Sequence, residues 1–529
     1  MAGLTELIMN EIEQVQNISN SNFRRWLIFL ACALVGLTNE VGNGVLNLGI
    51  APIREDLSLS QTDAQGILTV GKLIFGAFIL AGGVLGDLYG RRRVLVLGAV
   101  GVVAASLIAA TAQSSGMLLA ARFLDGMANA AIGPLAIAIL VGAFPPEQQA
   151  KIVGLFLGIT GLGVALGPLS VGILVESLGW RIGFLAPVIL AVLGGLGVLF
   201  LAPASPPPEQ GLRFDLVGTL ASVIGLLGVV IGIIQLNNGF SLKLLVSFVI
   251  GVASLVFFVW WERRVANPLL DIRLFSNRTF PSALLAGFTI GLIIGGSLLP
   301  LLYFIQKIQE ISLVAAFVRI LPMVVAAVLF SPVAGTLVEK RGARQIIVFG
   351  LGLVAISGMI FSFMQPATPY AIILLALILL GIGNIAIVTP VTDTVLNCLP
   401  PEKSGSAAAI NTAASQIGNA IGVAALTSVF IAAGRKAYFE KLEPTGLSRE
   451  QIAEINQMLK QTQEYLGSGF QAIPDTLREQ FQEATKYAFA IGIGRMFALV
   501  ILLCIICGAF VWLGMRAKTQ RNRVRSTNA

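Results

Sequence analysis

Apolar stretches of roughly 20 residues, each long enough to cross a bilayer as a helix, follow one another along almost the whole chain, with short polar turns between them. Their approximate limits are 26–50, 64–86, 93–113, 115–142, 152–176, 182–203, 216–236, 242–261, 281–305, 312–337, 345–365, 370–398, 405–433 and 487–515. Fourteen such stretches predict an all-α, polytopic membrane protein. Two segments break the pattern. Residues 1–25 place Leu4, Leu7, Ile8, Ile12 and Val15 on one helical face beside Glu6, Glu11 and Glu13, which predicts a surface helix. The polar stretch Asn17 to Asn22 is expected to separate that helix from the first span. No cleavable signal peptide is read here, because the segment lacks a continuous apolar core. In the long segment 434–486, Ile452, Ile455 and Leu459 share a face; this fits either an amphipathic helix at the membrane surface or a tether.

Composition agrees with a life in lipid. Of the 529 residues, 56% are hydrophobic and 12% charged, whereas soluble domains carry about 25% charged residues. The net charge of +8 follows from topology. With the N-terminus inside, the cytoplasmic segments collect about twenty Lys and Arg. Among them are Arg91, Arg92, Arg93, Arg263, Arg264, Lys340, Arg341, Arg344 and the basic tail 516–529. The short external turns hold only Arg54, Arg181, Lys243 and Lys307, and the bases of 434–486 are offset by Glu440, Glu443, Glu450, Glu454 and further acids. Both termini are therefore expected in the cytoplasm, and no nucleic-acid partner is needed to explain the charge. Cys32, Cys398, Cys504 and Cys507 lie in or at the ends of apolar runs, so neither a disulfide framework nor a metal site is expected, and no cofactor.

One pattern occurs twice, each time directly after an apolar run: Gly83-x-x-x-Asp87-x-x-Gly90-x-Arg92 and Gly335-x-x-x-Glu339-x-x-Gly342-x-Arg344. Internal duplication in a hydrophobic chain points to a transporter built from two related halves. The copies follow the second and tenth stretches, which leaves two extra spans between two groups of six. Pro203, Pro206, Pro207 and Pro208 close the first group, and the charged stretch Glu262 to Arg278, with Asn267-Pro268, opens the last. The expected domains are an N-terminal segment (1–25), a six-helix bundle (26–203), a linker with two extra spans (204–280), a second bundle (281–515) and the tail (516–529).

The stretch Gly83-Val-Leu-Gly-Asp87-Leu-Tyr-Gly90-Arg91-Arg92-Arg93 resembles the signature loop of the major facilitator superfamily. Fourteen spans with a two-helix insert resemble its 14-span drug:proton antiporter family. Phe257-Phe-Val-Trp-Trp-Glu262-Arg263-Arg264-Val-Ala-Asn-Pro268-Leu-Leu-Asp271 is similar to the segment after the insert in that family, and Gly179-Trp180-Arg181 to its turn into span 6. Gly154, Gly163, Gly167, Pro168 and Gly172 follow the spacing of the antiporter motif in span 5, with Val171 where a second glycine is usual. The resemblance implies pseudo-two-fold symmetry, a plasma or inner membrane location, export by proton exchange, and a cytoplasmic gate with a latch in each half, made of Gly83, Asp87, Gly90, Arg91 and Arg92 in the first and Gly335, Glu339, Gly342 and Arg344 in the second. The physics agrees: a carboxylate at that turn can accept bonds from a helix start, here near Ser404 and Gly405. Glycines in span 5 permit close helix approach, and Pro168 bends the span.

Charges inside spans carry the functional signal, since each costs several kcal/mol in lipid. They are Glu40, Lys72, Arg122, Asp125, Arg319 and Arg495. Glu40, Lys72 and Asp125 fall at one depth, roughly 14–18 Å from the external end of their spans, and Arg122 shares a face with Asp125 one turn away. The resemblance assigns Arg122 to proton coupling. Asp125 stands where the family has glutamine, and Asn43 where it has an aspartate, so Glu40 is the candidate relocated acid. The chain contains no histidine, so a carboxylate must carry any coupling proton. Protons from outside would load Glu40 or Asp125, weaken their ion pairs and release substrate; release inside would reset the cycle. The expected ligands are small amphipathic organic compounds and protons, and the expected unit is a monomer. Proton-coupled uptake, export of a single metabolite, a set of ion pairs that only glue helices, and a non-transporting scaffold remain as alternatives. An enzyme is not expected: Gly66-x-x-x-x-Gly71-Lys72 lacks the Ser or Thr of a phosphate loop, and the absence of histidine removes most triad and metal chemistry.

Overall fold

The computed structural model describes the chain apart from residues 1, 146–147, 150, 162, 164–166, 168–177, 204–214, 237–241, 266–271, 310, 312, 400–403, 443–474 and 516–529. The described residues are helical almost throughout. In chain order the helices are α1 (Ala2–Asp56), α2 (Gln61–Tyr89), α3 (Arg91–Ala110), α4 (Ser115–Ala143), α5 (Lys151–Gly161), α6 (Trp180–Gly183) and α7 (Leu185–Leu201). Then come α8 (Leu216–Leu236), α9 (Leu242–Glu262), a 3-10 turn (Ile272–Ser276), α10 (Thr279–Ile308) and α11 (Leu313–Arg341). The last four are α12 (Ala343–Ser362), α13 (Tyr370–Asn397), α14 (Ser404–Leu442) and α15 (Asp475–Gly514). Twelve of the described helices are long and apolar enough to cross a membrane, and Lys151–Gly161 and Leu216–Val229 are shorter apolar pieces.

The helices pack by one scheme used twice. In the first half α2 and α3 pack on α4, and α7 packs on α1 and α3; in the second half α11 and α12 pack on α13, and α15 packs on α10 and α12. Each half buries its own apolar core, around Val35, Leu95, Val102 and Leu135 in one and Phe304, Leu351, Phe361 and Phe497 in the other. The cores interlock at the seam, where α14 sends Ala408 into the first and α2 sends Ile79 and Leu80 into the second. Helices α8 and α9 pack on each other, and α8 also touches α2 and α14, one from each half.

The duplicated pattern forms the same tight turn in both places. Gly90 (φ 99°) joins α2 to α3, and Gly342 (φ 87°) joins α11 to α12. Both backbones lie in the region that a side chain disfavours. Gly90 N–H donates to Gly86 C=O at 3.0 Å, and Gly342 N–H to Val338 C=O at 2.8 Å, so each glycine closes one helix and starts the next. A third positive-φ glycine, Gly179 (φ 86°), sets Trp180 and Arg181 against the end of α1. There Asp56 accepts from Trp180 Nε1 at 3.2 Å and from Arg181 Nη1 at 2.5 Å.

Several boundaries differ from those expected. The stretch Asn17 to Asn22 does not break the chain: α1 is continuous from Ala2 to Asp56 and also passes through Pro52. Asn and Ser lower helix propensity only slightly without Gly or Pro beside them, and Pro52 comes so near the end that it removes a single bond. The segment 434–486 is helical at both ends, because α14 continues to Leu442 and α15 already begins at Asp475. Ile452, Ile455 and Leu459, Pro168 and Gly172, and the basic tail lie outside the described residues.

Candidate functional site

Helices α1 and α4 enclose a continuous chain of polar side chains in an otherwise apolar interior. Arg122 and Asp125, three residues apart on α4, face each other as an ion pair and are only 4% and 9% exposed. Arg122 Nη2 also donates to Asn43 Oδ1 at 2.8 Å. Asn43 Nδ2 stands 3.5 Å from Asn39 Oδ1, and Asn39 Nδ2 donates to Glu40 Oε1 at 2.8 Å. On the other side of the ion pair, Asn129 Nδ2 donates to Asp125 Oδ1 at 2.8 Å, and Thr38 Oγ1 lies 3.0 Å from Asn129 Oδ1. The chain therefore runs Glu40, Asn39, Asn43, Arg122, Asp125, Asn129, Thr38.

Four of its members, Glu40, Asn43, Arg122 and Asp125, were legible as charged or displaced positions. Asn39, Asn129 and Thr38 were not, because uncharged polar residues in spans are common and mostly bond helix to helix. The available signal was spacing: Asn129 lies one turn beyond Asp125, and Thr38-Asn39-Glu40 is an unbroken polar run. Glu40 does not pair directly with Arg122, whose bonded partners are Asp125 and Asn43.

Neighbouring glycines give the network its room. A Cβ on Gly71 of α2 would lie 2.6 Å from Arg122 Cζ, so the guanidinium occupies space that any larger residue would claim. Lys72 follows on α2 and lies within electrostatic reach of both Glu40 and Arg122. Further along the chain from Gly161, a Cβ on Gly163 would stand 2.7 Å from Glu40 Cβ, and one on Gly167 2.9 Å from the Glu40 carbonyl oxygen. Gly154, earlier in the same row, faces elsewhere. A Cβ on Gly154 would meet Ser331 Oγ of α11 at 2.8 Å and Thr389 Oγ1 of α13 at 3.1 Å. One glycine row thus touches the acid of its own half and the helices of the other half.

At the end of the bundle where α2 meets α3, Asp87 bridges the two halves. Its carboxylate accepts from Gly405 N–H at 3.2 Å, Ser406 N–H at 2.8 Å and Ser406 Oγ–H at 2.9 Å. These are the first residues of α14, where unpaired N–H groups and the helix dipole favour an anion. Arg91 Nε also donates to Asp87, at 3.0 Å. Close backbone approach makes this possible, since a Cβ on Gly83 would lie 2.6 Å from Gly405 C=O and from Ala409 Cβ. Arg92 instead donates to the Ala202 carbonyl at the end of α7, at 3.2 Å.

The second copy of the pattern is arranged differently. Glu339 is exposed, and Arg344 stacks on Trp512 of α15, 3.7 Å from the ring centre; Gly335 lies buried on α11. Two further charges stand apart from the network. Arg319 bonds Gln309 and lies over Tyr370, and Arg495 is exposed. Among the described residues no group of His, Cys, Asp and Glu could hold a metal ion.

Two like-packed helical halves, joined across a seam beside a buried acid–base network, define a membrane transporter with two related halves. Residues 32–423 match the Major Facilitator Superfamily, and the chain belongs to that family. It is 34% identical over 415 residues to the puromycin resistance protein pur8 of Streptomyces alboniger, covering 77% of this chain and 82% of that protein. It is 29% identical over 515 residues to the multidrug efflux pump LfrA of Mycolicibacterium smegmatis, covering 96% and 99%. Among solved structures, the human organic anion transporter MFSD10 superposes with a TM-score of 0.57 at 16% identity, over 92% of this chain and 99% of that one. The proton:xylose symporter XylE gives 0.53 at 17% identity, over 91% and 95%; at such identities the likeness is one of fold. The protein is a multi-pass membrane transporter of small molecules and not an enzyme.

Proposed function

We propose that the protein exports small amphipathic, drug-like organic compounds across the cell membrane in exchange for protons, by alternating access. The observation that carries this reading is the buried network of Glu40, Asn43, Arg122 and Asp125 with Lys72 beside it. A buried carboxylate balanced by a guanidinium changes its interactions on taking a proton, and a change of access alters that balance. Similarity to proteins named for puromycin resistance and multidrug efflux supports the substrate class and the outward direction.

Asp87, Gly83, Gly90, Arg91 and Arg92 then form the cytoplasmic gate, with Gly335, Glu339, Gly342 and Arg344 as the reduced counterpart in the second half. Gly154, Gly163, Gly167, Pro168 and Gly172 form the antiporter motif. The full topology is fourteen spans with both termini in the cytoplasm: the twelve long helices plus the two shorter apolar ones. Helices α8 and α9 form a two-helix insert within 204–280, between bundles at 26–203 and 281–515, with 1–25 and 516–529 as cytoplasmic ends. The working unit is a monomer.

Proteoliposomes carrying an imposed pH gradient and a cationic dye such as ethidium test the reading. Gradient-driven transport that collapses with an uncoupler, and is lost in Glu40→Gln or Asp125→Asn, is the expected outcome. Transport indifferent to the uncoupler, or full coupling in both variants, would refute it.

A further inference from the structure

The hydrogen bonds around Asp125 can be drawn in two ways, one for each protonation state of the carboxyl, and the charged state is the better paired. As the structure stands, Asn129 Nδ2 donates to Asp125 Oδ1 at 2.8 Å and to the Asp125 carbonyl at 3.0 Å. Asn129 Oδ1 then accepts from Thr38 Oγ1 at 3.0 Å. Thr38 has one hydroxyl proton and a second acceptor, the Val35 carbonyl, at 2.6 Å. Thr38 is 0% exposed and Asn129 2%, so water does not supply missing partners.

A proton placed on Asp125 Oδ1 would point at the N–H of Asn129, donor against donor. Turning the Asn129 amide by half a revolution removes that conflict and sets Oδ1 3.0 Å from the Asp125 carbonyl oxygen, acceptor against acceptor. Its Oδ1 then accepts from the new Asp125 O–H, its Nδ2 donates to Thr38 Oγ1, and the Thr38 proton swings to the Val35 carbonyl. The balance is simple: a hydronium ion gives one proton to the carboxylate and leaves as water, the amide turns, and no covalent bond besides O–H changes. Arg122 stays on Asp125 Oδ2 in both arrangements. The charged form keeps every bond of the trio, while the neutral form gives up the one to the Asp125 carbonyl.

The amide beside Glu40 lacks this freedom. Asn39 Oδ1 faces Asn43 Nδ2 at 3.5 Å, and Asn43 is held in that orientation by its bond from Arg122 at 2.8 Å. Turning Asn39 to receive a protonated Glu40 would bring its N–H against the N–H of Asn43.

We propose that Asn129 and Thr38 are positioning residues for proton exchange, forming a reversible relay that holds the Asp125 carboxylate in its charged form and turns with it when the coupling proton arrives. The inference rests on the proton-exchange reading above and concerns Asp125; Glu40, bonded by Asn39 through Oε1, can take a proton on Oε2 without any turn of that amide. The charge facing Asp125 is Arg122 on its own helix; Glu40 on α1 and Lys72 on α2 are the other charges within the spans that pack on α4. The membrane portion of α3 beyond Arg93 and α14 up to Gly434 contain none.

The test uses the full chain in proteoliposomes and reads the pH midpoint of ethidium export, with infrared difference spectra of the carboxyl C=O band as a second readout. Asn129→Ala removes a donor to the charged form and should raise the midpoint by about one pH unit, a tenfold change in proton affinity. The C=O band of the protonated acid should move in the same variant. Thr38→Val should shift both readouts, its effect should not add to that of Asn129→Ala, and Thr38→Ser should restore them.

An unchanged midpoint and band in Asn129→Ala, with only a lower maximal rate, would overturn the relay and leave helix packing as the role of these residues. Asp125→Asn separates the two levels. If that variant keeps wild-type pH dependence, assignment of the coupling proton to Asp125 fails; if it loses pH dependence while Asn129→Ala is silent, only the relay fails.

Discussion

Two opposed devices at the Asp87 end set the balance between open and closed seam, and removing them singly should push the protein in opposite directions. The closing device is Asp87, which accepts three bonds from Gly405 and Ser406 across the seam; its bond from Arg91 stays within the first half and survives opening. Hydrogen bonds to a charged group contribute about 1.5–3 kcal/mol each. The Gly405 bond is long, and water reaches the site once it parts, so the low end of the range is appropriate, about 4 kcal/mol for the three. The opening device is a pair of hydroxyls. Ser331 Oγ and Thr389 Oγ1 are buried against Gly154 without a hydrogen-bond partner among the described residues. Other hydroxyls in these helices do better: Thr392 and Thr394 donate to the carbonyls of Val388 and Pro390. Each stranded hydroxyl costs roughly 1–3 kcal/mol, which opening would relieve by hydration. The two sums nearly cancel, as alternation between states a few kcal/mol apart requires.

Asp87→Ala should therefore raise the ratio of open to closed seam by about three orders of magnitude, at 1.4 kcal/mol per tenfold. Ser331→Ala with Thr389→Val should lower the same ratio by at least tenfold and, combined with Asp87→Ala, should restore much of the closed population. Electron–electron distance measurements between spin labels at Arg93 and Lys340, both exposed at this end, read the populations directly, with Cys32, Cys398, Cys504 and Cys507 replaced. Identical distance distributions in the wild type and Asp87→Ala would refute the reasoning about the latch. A shift toward the open form in Ser331→Ala/Thr389→Val would refute the reasoning about the hydroxyls.

Gly71→Ala should abolish gradient-driven export while leaving folding measurable by thermal melting, because the added methyl would enter the space of the Arg122 guanidinium and break its bonds to Asn43 and Asp125; retained export would show that this packing is dispensable. Arg344→Gln should lower thermal stability by about 1 kcal/mol, the worth of a partly exposed cation–π contact, with no change in the pH midpoint of export, since its partner Trp512 belongs to the same half; a moved midpoint would place it in the coupling path.

Much of the membrane character was legible in sequence because lipid imposes one rule on every residue: apolar runs must be long enough to span, and a charge inside them needs a reason. The duplicated Gly-x-x-x-acid-x-x-Gly-x-Arg turn was legible for a related reason, as its Gly90 and Gly342 occupy backbone conformations that glycine reaches most easily. That local logic also misled. It broke α1 at Asn17 to Asn22, where propensity alone is too weak to end a helix, and it treated the two copies of the turn as equivalent. Sequence cannot say that Asp87 meets the start of α14 while Arg344 meets a tryptophan, because both partners lie far along the chain and are brought near only by packing of the halves.

By itself, then, the sequence determined the solvent, the helices, the twofold plan and which charges stand inside the spans. All of these depend on the composition of short segments. Tertiary structure decided who pairs with whom: that Arg122 turns to Asp125 and Asn43 and away from Glu40, that Asn129 and Thr38 complete the network, and that one row of glycines touches Glu40 and the opposite half together. Those choices follow from crossing points between helices distant in sequence, where a missing Cβ or one buried hydrogen bond outweighs anything a local pattern can express.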